Sequence, residues 1–544
     1  MANTIDVDDI LRALGKYKRH TIQQIIYNYF ICVFLIGFPM LVYVFVGYSP
    51  PHKCKAFTKD LLYYGYSGND NATYEVVSYE KCHTVFRVNM SNVTSVINVP
   101  CLEGYQYEIE HDTFVTEWNL VCEKAGLGEL TQTIYVAGQM VGSFVFPLLS
   151  DNYGRKPVMV TSMLTVTSMS IVASFGNYYM YIVLRFLTGA FQQGIELTMA
   201  VYVLEQVPVE NRGIVSAIGA FAWGINVLVV GVVGYLMRNV NWRYVQFMSG
   251  SHGIHTIAAY WILHESLRWL IANNRTKQAR IEVNKIAKIN KVKLDDVLPL
   301  LESENEMTSL TKSEEVPKED SKQKRDNLFT VVRHKRLLKI SAIMAFTWLT
   351  NSVVYYGLIL TSHQLAGNRY FNLFINLGVE LPAMALFMIL VKRLTRRQIS
   401  VIFHSIAGVS LIASVIFRTF KDKSTTFETV SVIFSFIGKF GITGSFGLIF
   451  LFTPELYPTN LRNTGIGLGS IFARVGGMVS PYASVLATYI EWGPGIIFGT
   501  CCVVATLLQL LLPETSGKEL PQFVQQIRDW NKDQEDDSKT TNNV

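Results

Sequence analysis

The chain has 544 residues, of which 50% are hydrophobic and 17% charged, with a formal net charge of +6 and a mean hydropathy of +0.25. A chain this long and this apolar is not a soluble protein, so its apolar residues must be gathered into segments that face lipid. Its surplus of Lys and Arg falls in 264–336 and in short loops between apolar segments, where membrane topology accounts for it, which argues against a nucleic-acid partner.

Residues 1–20 carry Arg12, Lys16, Lys18 and Arg19 directly before the first apolar segment, and no small-residue cleavage pattern follows, so that segment reads as a retained anchor. A bilayer core takes about 20 helical residues. Twelve segments fit: 22–47, 130–150, 158–175, 178–204, 214–236, 242–263, 337–361, 370–391, 400–419, 428–452, 463–487 and 493–512. Short loops at 151–157, 205–213, 392–399 and 455–462 carry Arg155, Lys156, Arg212, Lys392, Arg393, Arg396, Arg397 and Arg462, whereas 176–179 and 488–492 carry no basic residue. This bias puts both termini in the cytoplasm, although Arg238, Arg243, Arg369, Lys421 and Lys423 lie on or near the opposite loops.

Between the first two spans, 48–129 holds Cys54, Cys82, Cys101 and Cys122 and three sequons, at Asn71, Asn89 and Asn92. Both features belong to an outside-facing, glycosylated loop. Four cysteines allow two disulfides in three pairings, and all three stay open. Cys32, Cys501 and Cys502 fall in spans and read as packing. The second long loop, 264–336, has helical periodicity in "TKQARIEVNKIAKIN" and a solvated stretch, "SENEMTSLTKSEEVPKEDSKQKRD". A further sequon at Asn274 lies there, inside and unmodified on this topology. The expected organisation is a cytoplasmic segment 1–20, a six-helix bundle 21–263, a cytoplasmic linker 264–336, a second six-helix bundle 337–512 and a cytoplasmic tail 513–544.

The halves repeat. Glu205 and Arg212 follow span four as Glu455 and Arg462 follow span ten, seven residues apart both times and 250 residues from copy to copy. "LHESLRWL" and "LPETSGKEL" follow spans six and twelve. A parallel 6+6 repeat is the sign of a two-bundle secondary transporter with its site between the halves. "SDNYGRKP", with Asp151, Gly154, Arg155 and Lys156, resembles the D-x-x-G-R-K loop of the major facilitator superfamily. The resemblance implies an all-α membrane protein of twelve transmembrane helices in two six-helix bundles, latched by charge pairs on the cytoplasmic side. The chain departs from the motif at Pro147, and its second copy, "KRLTRR", has Lys392 and Thr395 for the acid and the glycine.

Within that superfamily "VDDILRALGKY", "TEWNLVC", "NLGVELPA", "GKFGITGSFGLIFLFTPELYPTNLRN" and "LPETSGKELP" resemble solute carrier family 22, nearest its carnitine and novel organic cation branch. Arg474, in "GLGSIFARVGGMVSPY", falls where the family's anion and carnitine branches carry arginine, which implies a partner for a substrate carboxylate. The alternative is an internal salt bridge to Glu380 or Glu196, the other acids inside spans. Either acid would also attract an ammonium head, and Glu196 would equally serve Arg185, eleven residues away on its helix. Lys439 reads as snorkelling from the start of span ten. Tyr355, Tyr356, Phe446, Phe450 and Trp223 recur where the family lines its cavity and would hold a quaternary ammonium.

The expectation is therefore a plasma-membrane transporter of small organic cations or zwitterions of the carnitine type, working by alternating access as a monomer. Ile36, in "LIGF", departs from the carnitine branch's "PNGF". The rival within the family is an organic anion transporter, although anion branches more typically place lysine where Met384 stands. A sugar porter lacks the cysteine-rich loop and carries paired glutamines on span seven. No H-E-x-x-H, P-loop or G-x-S-x-G supports an enzyme. No metal or cofactor is implied, and sodium or proton coupling stays open.

Overall fold

The computed structural model describes residues 7–15, 17–57, 72–90, 93–108, 112–293, 297, 333–458 and 461–516. Asn71, Asn92, most of the linker and most of the tail lie outside them.

Span one runs Arg19–Val46, with a π-helical stretch at Tyr27–Cys32 and Pro39 further along. Spans two to five are Leu127–Tyr153, Arg155–Ala173, Tyr178–Glu205 and Arg212–Leu236. Span six is broken into Trp242–Ser251, His252–His255 and Thr256–Ile262. In the second half, spans seven, nine, ten and twelve are Lys335–Leu360, Arg396–Thr419, Thr425–Glu455 and Gly493–Gln509. Span eight joins Arg369–Gly378 to Glu380–Leu390, and span eleven is Arg462–Val479 followed by Tyr482–Tyr489. Eight helical segments among the described residues are both long and apolar enough to cross a membrane, and Thr464–Val479 and Gly493–Gln509 are shorter apolar helices. Span four, 28 residues long, falls outside that set because it carries Arg185, Gln192, Gln193 and Glu196, the first three of them buried inside the bundle.

Small residues let these helices close on one another, as lipid offers no hydrophobic drive between them. A Cβ on Gly189 of span four would strike the carbonyl of Tyr135 on span two, and one on Gly138 would strike that of Phe186. Spans nine and ten repeat the device, with Gly441 against the backbone of Phe403 and Ala407.

The loop after span one is folded. Strands β1 (His52–Cys54) and β5 (Tyr105–Tyr107) pair antiparallel, and β2 (Ala72–Tyr79), β3 (His83–Met90) and β4 (Val93–Pro100) form an antiparallel sheet in that order. The β-branched runs "TVFRV" and "SVINV" suit strands, and Phe86, Val88 and Val99 are buried. Of the three possible pairings the protein has Cys54–Cys101 and Cys82–Cys122. Glu117 ties the loop to span six, accepting from the Trp242 indole at 2.7 Å and from Arg243 at 2.5 Å.

On the opposite side, helices Val7–Leu14, Leu267–Ala272 and Thr276–Asn290 share an apolar cluster that includes Ile10, Leu14, Leu270, Val283 and Ile286. Asp8 pairs with Arg268 at 2.5 Å and Arg12 with Glu210 at 3.1 Å, so the first helix is clamped to its own half. Burial alone would raise the Glu282 carboxyl there, but hydrogen bonds from His264 and Lys285 outweigh it and hold it at about 2. The two halves meet on the loop side. Tyr48 faces His363 at 5.3 Å and lies 4.4 Å below the Arg369 guanidinium, while Tyr235 packs on Tyr370 at 5.4 Å.

Candidate functional site

Span eleven reaches the seam between the halves because its glycines admit close neighbours. A Cβ on Gly476 would meet the Leu349 carbonyl of span seven, and Gly477 faces Val136 of span two. Arg474 is thereby aimed across the seam. Its Nη1 donates to Gln139 Oε1 at 2.9 Å and its Nη2 to Gln193 Oε1 at 3.1 Å, both from the first half. A guanidinium only donates, so both amides must turn their oxygens toward it. Their NH₂ groups then point onward. Gln139 donates to Gln192 Oε1 at 2.5 Å, and Gln193 donates to Glu196 Oε2 at 2.6 Å.

Neither expected acid pairs with Arg474. Glu196 is held by glutamines, and Glu380 belongs to a separate group. The Arg474 Nε is buried without a partner among the described residues. Amide dipoles stabilise the charge without cancelling it.

Arg185 does not pair with Glu196 either. It donates to the Pro39 carbonyl at 2.7 Å and to Gln132 Oε1, with its guanidinium 4.1 Å above the Tyr135 ring. Lys439 does not snorkel. Span ten begins at Thr425, which places Lys439 deep in the span, beyond the reach of its four-carbon stem to the surface. It is 0% exposed and lies 3.3 Å from Glu380, which is 2% exposed. The Tyr355 hydroxyl donates to the same carboxylate.

The aromatic residues gather around this pair. Tyr355 is edge-on to Tyr356 at 5.1 Å and lies 5.3 Å from Phe446. Trp223, on span five, packs against the buried cluster of Met40, Tyr135 and Val136, as do Tyr356 and Met478 from the second half. The Tyr356 hydroxyl is within electrostatic range of Arg474, Glu196 and Glu380 alike. Phe450 sits at the edge of the group, 56% exposed, against Trp348. A solvent-open cleft lies elsewhere, on the loop side between Tyr48, Arg238 and Arg369.

The charge pairs opposite the loop form two matching clusters. Gly154, at φ +111°, makes the turn into span three. Arg155 binds Asp151 at 2.5 Å and Glu205 at 3.1 Å, and Glu265 accepts from the backbone N–H groups of Arg155 and Lys156. In the second half Arg396 binds Glu455 at 3.3 Å, and Glu514 accepts from the backbone N–H groups of Arg396 and Arg397. Thr395, which replaces the glycine, caps span nine with Gln398. The seven-residue pairs do not form: Glu205 and Glu455 take the arginines of the preceding interspan loops, and Arg462 donates to the Pro454 carbonyl. Lys156 lies 4.5 Å above the Tyr260 ring. Of the three sequon asparagines, Asn89 alone is described, and it is exposed on β3.

Sequence reasoning passed over Gln139, Gln192 and Gln193. Their signal was present, since a glutamine inside an apolar span is costly unless it has a partner.

The sequence profile described as "Sugar (and other) transporter" matches residues 69–526. The organic cation transporter protein of Drosophila melanogaster is 29% identical over 539 residues, covering 96% of this chain and 95% of that one. The organic cation/carnitine transporter 2 of Homo sapiens is 31% identical over 435 residues, covering 78% and 74%. Among solved structures, an inward-open xylose transporter XylE from E. coli matches with a TM-score of 0.57 at 14% identity, over 74% of this chain and 90% of that one.

Proposed function

The chain belongs to the major facilitator superfamily and, within it, to solute carrier family 22, and from that membership together with the charges at its seam we propose that it carries small organic zwitterions of the carnitine type across the plasma membrane. It is a multi-pass secondary transporter, not an enzyme. The proposed motion is alternating access of the two halves, with the disulfide-linked side outside, where such bonds persist, and both termini in the cytoplasm. One chain supplies both walls of the seam, which supports action as a monomer.

The observation that carries the reading is Arg474, bridging the halves through Gln139 and Gln193 with no carboxylate among the described residues paired to it. A substrate carboxylate suits its forked donors better than two amide oxygens do. Around it Glu380 and Lys439 cancel, Glu196 is negative, and Arg185 and Arg474 are positive, so among these five groups positive charge exceeds negative by one. Tyr355, Tyr356, Phe446 and Trp223 supply faces for a quaternary ammonium, worth about 0.5 to 2 kcal/mol each. A zwitterion satisfies both features. The excess positive charge also favours a second reading, an organic anion, and makes a simple cation the weakest of the three.

The test is uptake of labelled carnitine, tetraethylammonium and an aromatic carboxylate by wild type and Arg474→Ala, normalised to surface protein. Losing the arginine from a desolvated charge pair costs about 2 to 5 kcal/mol, so carnitine transport should fall at least thirtyfold while tetraethylammonium changes little. Carnitine uptake that survives the substitution overturns the reading. An aromatic carboxylate carried in preference to carnitine selects the second one.

A further inference from the structure

In the second half, the carboxylate that an ammonium substrate would seek is already occupied. Lys439 Nζ lies 3.3 Å from Glu380 Oε1 and 3.3 Å from the centroid of the Tyr355 ring. Tyr355 itself donates to Glu380, so ring and carboxylate are locked into one receptacle. A carboxylate beside an aromatic face is what an alkylammonium binds. Here the occupant is an ammonium on the protein's own four-carbon tether.

The occupancy is incomplete. An ammonium has three N–H donors, and among the described residues Glu380 is the one acid paired with Lys439, although the group is fully buried. At 3.3 Å the approach to Glu380 is long for a charge-assisted N–H···O bond. A buried pair whose donors stay unsatisfied is held less firmly than one with every donor met. Tyr355 packs directly on Tyr356 and Phe446, so the receptacle adjoins the aromatic group beside Arg474.

We propose that Lys439 is a tethered competitor for the cation half of the substrate: its ammonium fills the Glu380–Tyr355 receptacle and sets the transporter's preference for substrates that bring a carboxylate. The proposal rests on the reading of the seam as the substrate site. Removing the Lys439 charge frees Glu380, brings the five charged groups named above to zero net charge and opens a place for a quaternary ammonium without any carboxylate.

The experiment measures the KM of tetraethylammonium and of carnitine for wild type, Lys439→Met, Lys439→Gln, Lys439→Arg and the double variant Glu380→Gln/Lys439→Met. Lys439→Met and Lys439→Gln should lower the KM of tetraethylammonium about tenfold or more, the order expected for one uncovered charge contact, and move that of carnitine only a few-fold. Lys439→Arg should keep wild-type selectivity, and the double variant should lose the gain. The Gln variant matters because it removes the charge while keeping a polar side chain at the buried position, which spares the fold better than Met does. Equal losses for both substrates, or the absence of both neutral variants from the cell surface, would show the pair to be structural and overturn the proposal. The same panel on Arg474→Ala separates the two readings. Carnitine transport lost there but selectivity unmoved by Lys439 leaves the site standing and removes the competitor. Carnitine transport intact there removes the site itself.

Discussion

A carboxylate at the end of a helix was visible in the sequence, but its partner was not. Glu205 and Glu455 stand 250 residues apart, and so do Arg212 and Arg462, which made those bases the natural partners. The arginines that bind the acids, Arg155 and Arg396, are separated by 241 residues, so a search at constant offset passes them by. The reading of Lys439 failed for a related reason, since span ten starts three residues before its apolar pattern does. The geometry ranks the substitutions. Arg155 and Glu205 are 11% and 16% exposed, whereas Asp151 is 65% exposed and its pair is screened by water. Glu205→Gln and Glu455→Gln should each reduce the maximal transport rate several-fold with KM nearly unchanged, because they alter the exchange between states and not the seam. Asp151→Asn should have a much smaller effect. Exchange rates in proteoliposomes check this, and a rise in KM without a change in rate would place the acids in the substrate site.

Elements were legible where period and composition agreed. The twelve apolar segments anticipated the spans, since about 20 lipid-facing residues leave a continuous apolar run. Span four was found despite its polar residues because its flanks were clear. The strands after span one are written in β-branched runs such as "TVFRV" and "SVINV", a short-range signal that the cysteines and sequons of the same loop overlie. Contacts between spans were not legible at all, since a glycine in a helix looks the same whether it faces lipid or a neighbour's backbone. Two glycines test the difference. Gly189 meets the Tyr135 carbonyl, while a Cβ on Gly213 meets nothing within 4 Å. Gly189→Val has backbone in its way and should cost at least the usual overpacking penalty of about 1 to 3 kcal/mol. Gly213→Ala should be neutral or stabilising by up to about 1 kcal/mol. Thermal unfolding of detergent-purified protein compares them, and equal Tm values would mean that spans two and four do not pack through Gly189.

Over the whole molecule, the two halves touch on the side of the disulfide-linked loop through a small set of contacts. Tyr48 at the end of span one meets His363 and Arg369 from the second half, and Tyr235 meets Tyr370 and Phe374. Nearer the site, the Thr133 hydroxyl donates to the Met478 carbonyl at 2.8 Å. The ion pairs Asp8–Arg268, Arg155–Glu205 and Arg396–Glu455, on the other side, each stay within one half. Aromatic and cation–π contacts of this kind are weak individually, about 0.5 to 1.5 kcal/mol, which suits a contact that must part in every cycle. Bridging Tyr48→Cys to His363→Cys with a short bifunctional thiol reagent should therefore stop uptake from the loop side nearly completely. Each single cysteine variant, treated alike, should keep its transport. The native loop cysteines are already paired as Cys54–Cys101 and Cys82–Cys122, so they do not compete for the reagent. Binding of substrate offered from the opposite side should survive the bridge, because the seam at Arg474 is untouched. If bridged protein transports at the wild-type rate, the loop-side contacts do not part during the cycle and the two halves do not move as proposed.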